Sequence, residues 1–104
     1  MKEITVQELK AKSDENQDFQ LIDVREPYEY EIVHMGGELI PLGELIDSID
    51  KIKKDKDCIF YCRSGARSAQ AVAYLNQQGY DNVYNLRGGI LAYATEVDTS
   101  MPTY

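Results

Sequence analysis

Ile59-Phe60-Tyr61-Cys62-Arg63-Ser64-Gly65-Ala66-Arg67-Ser68 is the stretch that decides the fold. Its first three residues are a short apolar run, β-branched and aromatic, of the kind that suits a buried strand. From Ala66 to Gln78 the sequence is alanine-rich and favours helix. Gly65 marks a tight turn between them. A strand feeding a helix through such a turn leaves the Cys62 thiol at the strand end, facing a helix N-terminus. That terminus carries unpaired N–H groups and a partial positive charge. A thiol there ionises more readily than a free one, and the thiolate is the reactive form. Arg63 and Arg67 add two permanent positive charges. The stretch reads as a cradle for an anion, with an exposed, nucleophilic sulfur at its floor.

Working outward, Ile4-Thr5-Val6 reads as a short strand or strand entry, and a helix follows to about Lys12 with Leu9 turned inward. Asp18 to Val24 predicts a second strand, halted at Arg25-Glu26-Pro27, where proline suits a first helical turn. Tyr28 to Ile32 predicts a short helix, Gly36-Gly37 a turn, and Glu38 to Ile40 a brief strand ended by Pro41. Leu42 to Ile52 shows helical spacing through Leu45, Ile46, Ile49 and Ile52, and the lysines that follow form a solvated connection. After the Ala66–Gln78 helix, Gly79 sits where a C′ residue belongs, with Tyr80 placed to fold back on Leu75. Asn82 to Leu86 predicts a last strand, Gly88-Gly89 a turn, and Ile90 to Val97 a final helix. Strands alternating with helices imply an α/β domain, a mainly parallel sheet covered on both faces. In such sheets ligands bind beyond the carboxyl ends of the strands, where Cys62 stands.

The 104 residues read as one domain, with no repeat or linker. A net charge of −7 disfavours nucleic acid and anionic membrane surfaces as partners. That excess of acid makes the arginine pair beside Cys62 a local exception. No apolar run approaches the roughly 20 residues of a membrane span, and a cytoplasmic setting is expected. The two cysteines, Cys58 and Cys62, lie four strand steps apart, about 13 Å. A disulfide needs Cα atoms within roughly 7 Å, so both read as reduced thiols. Cys58 reads as a core residue. His34 is the single histidine and lacks the clustered partners a metal site requires, so neither a metal nor another cofactor is expected.

Three ordered motifs together resemble the rhodanese-like family of single-domain sulfurtransferases. They are Leu21-Ile22-Asp23-Val24-Arg25-Glu26-Pro27 with Glu29-Tyr30, the loop Tyr61 to Ser68, and Tyr84-Asn85-Leu86-Arg87-Gly88-Gly89-Ile90. The resemblance implies a five-stranded parallel sheet between helices, and a catalytic cysteine that cycles through a persulfide. Cys62 would be that nucleophile, with Arg63, Ser64, Gly65, Ala66 and Arg67 as the substrate-binding loop. One departure stands at His34-Met35-Gly36-Gly37-Glu38, where the family commonly has a longer His-Ile-Pro-Gly-Ala segment. A different pocket wall is expected there, and no role is carried onto His34. Gly36 to Leu42 and the tail Val97 to Tyr104 resemble more narrowly the rhodanese domain of molybdopterin-synthase and thiazole-pathway adenylyltransferases. The implied partners are a small donor such as thiosulfate or a persulfidated protein, and a ubiquitin-like sulfur-carrier protein as acceptor.

The expected chemistry is a double displacement. The Cys62 thiolate takes the outer sulfur of a donor, holds it as a persulfide steadied by loop N–H groups, and yields it to an acceptor nucleophile. Arg67 is placed to bind a sulfonate or to orient the cradle, and Arg63 to meet a partner. One of Ser64 and Ser68 is expected to cap the helix. Asp23, Arg25 and Glu26 read at least as well as an ion-pair set fixing the loop as they do as substrate contacts. Two other functions compete. A cysteine phosphatase uses Cys-x5-Arg, but that register puts Ser68 where the arginine belongs, and Arg67 gives a loop one residue shorter. A non-catalytic rhodanese docking module usually lacks the cysteine that is present here.

Overall fold

The computed structural model describes all 104 residues. Five strands, all parallel where they pair, form one sheet: β1 (Glu3–Ile4), β2 (Phe19–Asp23), β3 (Glu38–Leu39), β4 (Asp57–Tyr61) and β5 (Val83–Leu86). Their order across the sheet is β1-β5-β4-β2-β3, which puts β4 in the centre. Four α-helices accompany them, three between strands and one after the last: α1 (Val6–Asp14), α2 (Pro27–Ile32), α3 (Ala66–Gln77) and α4 (Gly89–Glu96). The expected α/β architecture is present.

Residues of β4 alternate between two cores, as the pleat requires. Cys58, Phe60 and Cys62 join Ile22, Val24, Ala71, Val72, Leu75 and Val83 on the α3 face. Ile59 and Tyr61 join Val6, Leu9, Val33, Leu86 and Ile90 on the α1 and α4 face. Burial on both faces explains why this strand reads as a continuous apolar run.

Helix ends follow local chemistry. Thr5 caps α1 in a reciprocal pair: its Oγ1 accepts from Glu8 N at 3.1 Å, and Thr5 N donates to Glu8 Oε1 at 2.9 Å. Thr5 and Val6 therefore belong to the helix start and not to the strand, which ends at Ile4. At the end of α3 the amides of Tyr80 and Gly79 donate to Leu75 O and Asn76 O, and Tyr80 packs in one core with Leu75.

Leu42 to Ile52 departs from expectation. It forms two 3₁₀ segments, Leu42–Glu44 and Ile46–Lys51, the second kinked at Ser48. Gly43, Asp47, Ser48 and Asp50 are poor interior helix formers, Gly43 through backbone freedom and the other three because their short side chains compete for backbone partners. Leu45 and Ile52 still reach the core, whereas Ile46 is 63% exposed. No helix is long and apolar enough to cross a membrane.

Candidate active site

Cys62 follows directly on β4 and α3 begins at Ala66, so the expected strand–loop–helix arrangement is in place. Gly65, in the left-handed region at φ 104°, stands at the N-cap position of α3 without a side chain to cap it. The Cys62 sulfur fills that office. Sγ accepts from Gly65 N at 3.1 Å and from Ser68 N, the third residue of the helix, at 3.4 Å. Ser68 Oγ lies at 3.4 Å from the same sulfur. The expectation that Ser64 or Ser68 caps the helix is thereby corrected. Ser64 is exposed, while Ser68 is fully buried between the sulfur and Asn85.

Burial pushes the Cys62 thiol up, but the hydrogen bonds from the Ser68 hydroxyl and the amides of Ser68, Gly65 and Ser64 outweigh it, and the net shift is downward. At Cys58 burial prevails. Its thiol, against Gln20 Oε1 and Lys53 O, is pushed up to about 11, chiefly by desolvation. Both cysteines are free thiols. One expectation fails at Cys62: the residue is 1% exposed, and its sulfur lies under the loop instead of standing in solvent.

The loop is pinned from behind. Ile90 N donates to Cys62 O at 2.9 Å and Leu91 N to Arg63 O at 3.0 Å, so the first turn of α4 holds the loop carbonyls. A Cβ on Gly89 would stand 2.5 Å from both of those oxygens, which is why glycine occupies that position. Asn85, at the end of β5, adds a polar brace: its Oδ1 accepts from Ser68 Oγ at 2.5 Å and its Nδ2 donates to Gly65 O at 3.3 Å.

The two loop arginines differ. Arg67 donates from Nη1 and Nη2 to Glu29 Oε1 and Oε2 at 2.7 and 2.9 Å. Glu29 Oε1 also accepts from Glu26 N at 3.1 Å, within the first turn of α2, so the Arg67 pair ties α2 to the loop. Arg67 thus orients the cradle, and its fork is occupied by a carboxylate and not left open for a sulfonate. Arg63 is exposed, without a carboxylate partner, its guanidinium 5.5 Å from the ring centroid of Tyr104. Ala66 is exposed at the rim. Glu29, Asn85 and Gly89 stood inside the quoted motifs, yet their contacts cross between elements, and no spacing in the chain signals them.

Beside the loop, Asp23 and Arg25 form a fully buried pair. Arg25 Nε donates to Asp23 Oδ1 at 2.9 Å and Nη2 to Oδ2 at 2.8 Å, and Nη2 also reaches Val33 O at 2.7 Å. This is the ion-pair reading of those residues, with no surface left to a substrate. Glu26 is exposed at the start of α2. His34 stacks on Tyr30 at 4.0 Å between centroids and lines a cavity of about 380 Å³ together with Leu9, Met35, Tyr93 and Met101. That cavity includes no residue of the Cys62 loop. No cluster of three His, Cys, Asp or Glu side chains suits a metal ion.

The family model of the rhodanese-like domain matches residues 5–96. The chain belongs to the rhodanese-like family. It is 43% identical over 98 residues to a "Sulfurtransferase" of Allochromatium vinosum, covering 88% of this chain and 87% of that protein. It is 39% identical over 105 residues to "Probable adenylyltransferase/sulfurtransferase MoeZ" of Mycobacterium tuberculosis, covering 97% of this chain and 26% of that one. The chain thus spans about a quarter of the MoeZ-type relative, and 38% of a "Rhodanese-like/PpiC domain-containing protein 12, chloroplastic" of Arabidopsis thaliana at 41% identity. Among solved structures, a rhodanese-like domain protein of Staphylococcus aureus superposes with a TM-score of 0.84 at 35% identity over 93% of this chain and 95% of that one. Family membership and the relatives' names support sulfurtransferase activity in general terms.

Proposed function

We propose that this rhodanese-like domain is a sulfurtransferase that carries a sulfane sulfur on Cys62. The observation that supports it most directly is the pair of backbone donors aimed at one sulfur, Gly65 N at 3.1 Å and Ser68 N at 3.4 Å, with the Ser68 hydroxyl, shared with Asn85, at 3.4 Å. An anionic Cys62 sulfur is stabilised by these donors before any reaction begins, which keeps the thiolate poised to attack. In the first half-reaction the Cys62 thiolate attacks the outer sulfur of a donor such as thiosulfate or a protein persulfide. The new Sγ–S bond forms as the donor's bond breaks, and the electron pair leaves with sulfite or a thiolate. In the second, an acceptor nucleophile attacks the outer sulfur and regenerates the thiolate. Arg63, Ser64, Gly65, Ala66 and Arg67 form the binding loop, through backbone donors and the charge at its mouth.

The likeness to MoeZ, whose name couples sulfur transfer to adenylyl transfer, supports a protein acceptor of the ubiquitin-like sulfur-carrier type. A free, reactive thiol suits a reducing compartment such as the cytoplasm. The deciding experiment is intact-mass spectrometry after incubation with thiosulfate or with a persulfide-loaded cysteine desulfurase. Gain of one sulfur atom, absent in Cys62→Ser, is expected. Phosphate-ester hydrolysis that depends on Cys62, without sulfur uptake, would reverse the assignment.

A further inference from the structure

The loop that follows Cys62 carries two guanidinium groups, but only one of them is free of a carboxylate partner. Arg67 meets Glu29 through two hydrogen bonds, and the Glu29 side chain is 3% exposed. Glu29 is held on its other side by Glu26 N, and the Arg67 contact keeps its carboxyl below the usual range. It is a fixed countercharge. Arg63 has no such partner: it faces the ring of Tyr104, whose π face steadies a cation without cancelling its charge. Of the two loop arginines and the carboxylate paired to one of them, a single positive charge, that of Arg63, is left without a countercharge.

Sulfane donors differ in charge. Thiosulfate is a dianion, whereas an alkyl persulfide carries one negative charge or none. The bonding change is alike for both: Sγ bonds to the outer sulfur, and the electron pair of the broken bond departs with sulfite or with the alkyl thiolate. Any proton on the persulfide's outer sulfur stays on it. What differs is repulsion on approach, because two negative charges meet the thiolate in one case and at most one in the other. Coulomb energy scales with that product.

Building on the sulfurtransferase reading above, we infer that Glu29 sets the charge class of donor this site accepts. By neutralising Arg67 it removes one attracting charge, which costs dianionic thiosulfate about twice what it costs a singly charged sulfane donor, the class of an alkyl persulfide, and so shifts the donor preference toward the latter. Glu29 is then a specificity-determining residue, acting through Arg67 and touching no substrate.

The test compares two donors of like chemistry and different charge, thiosulfate and the methanethiosulfonate anion, by kcat/KM to a common thiol acceptor. Glu29→Gln keeps an oxygen for Glu26 N and removes the countercharge. The expected gain is about tenfold for thiosulfate and about threefold for methanethiosulfonate, as one added charge acting on two or on one would give, and it shrinks as salt rises. The ratio between donors is the decisive quantity, since any change in Cys62 ionisation cancels from it. Arg63→Gln, on an exposed side chain, gives an independent reading should Glu29→Gln fold poorly, with losses in the same order. Equal effects on both donors, or none, in either folded variant would overturn the inference and leave sulfur transfer standing. Failure of the unaltered protein to take sulfur from either donor would instead remove the functional reading itself.

Discussion

Ile90 N donates to the carbonyl oxygen of Cys62 at 2.9 Å, so the start of α4 grips the candidate nucleophile by its backbone. The grip depends on Gly89, at φ 62°, where a Cβ would lie 2.5 Å from Cys62 O and 2.6 Å from the Arg63 carbonyl carbon. Gly89→Ala must move backbone against backbone, which has no soft direction. A loss of about 2–4 kcal/mol in urea unfolding is expected, together with weakened sulfur uptake. Unchanged stability would show that the loop is not clamped there.

The two thiols separate in reactivity. Cys62 is shifted below an ordinary thiol by its donors, and Cys58 is pushed up to about 11 by burial. Limited iodoacetamide at pH 7, followed by peptide mass spectrometry, is expected to place the adduct on Cys62 and leave Cys58 unmodified. Labelling of Cys58 first would contradict the electrostatic account.

Ser68 has one hydroxyl hydrogen and two acceptors, Cys62 Sγ at 3.4 Å and Asn85 Oδ1 at 2.5 Å. When Cys62 ionises, donation to sulfur competes with donation to the amide. Ser68→Ala removes the donor and keeps the Ser68 amide, so the pH profile of Cys62 alkylation is expected to move to higher pH. It also leaves Asn85 Oδ1 without its hydroxyl, at a cost of about 1–2 kcal/mol. A profile that stays in place would mean that the backbone donors alone set the ionisation.

Acid stability should carry the mark of Glu29. Arg67, first among its causes, holds the Glu29 carboxyl below its usual value of 4.5 in the folded protein. A depressed folded value means that the unfolded chain binds the proton more tightly. The contribution is therefore fully present above pH 4.5 and is lost as pH falls below it. Glu29→Gln is expected to flatten that part of the stability curve. An acid limb of unchanged steepness would assign the loss to other carboxylates.

Asp23 and Arg25 are both fully buried, and each carboxylate oxygen accepts from the guanidinium. Asp23→Ala strands a buried charge, and a loss of about 3–5 kcal/mol by urea denaturation is expected. A smaller effect would mean that Val33 O and the Tyr61 ring suffice to hold Arg25.

Much of this fold is written locally. The apolar run before Cys62, the glycine turn after it and the alanine-rich helix beyond need only near neighbours to be understood. The same holds for the Thr5–Glu8 cap and for the bonds by which Gly79 and Tyr80 close α3. Leu42 to Ile52 shows the limit: apolar spacing marked Leu45 and Ile52 correctly as inward, but the polar residues between them break the helix into 3₁₀ segments and leave Ile46 outside.

The sequence by itself determined the α/β order, the strand-end position of Cys62 and the nearness of two arginines to it, because each is a property of consecutive residues. Only the tertiary structure decided that the sulfur lies beneath the loop, that Glu29 cancels one of those arginines, and that Asn85 and Gly89 brace the loop from another strand and helix. The contacts of Glu29, Asn85 and the start of α4 with the loop join residues from 17 to 38 positions apart, among them Ser68 to Asn85 and Arg67 to Glu29. A pairing of that kind is set by how the sheet stacks its crossovers, and no spacing along the chain encodes it.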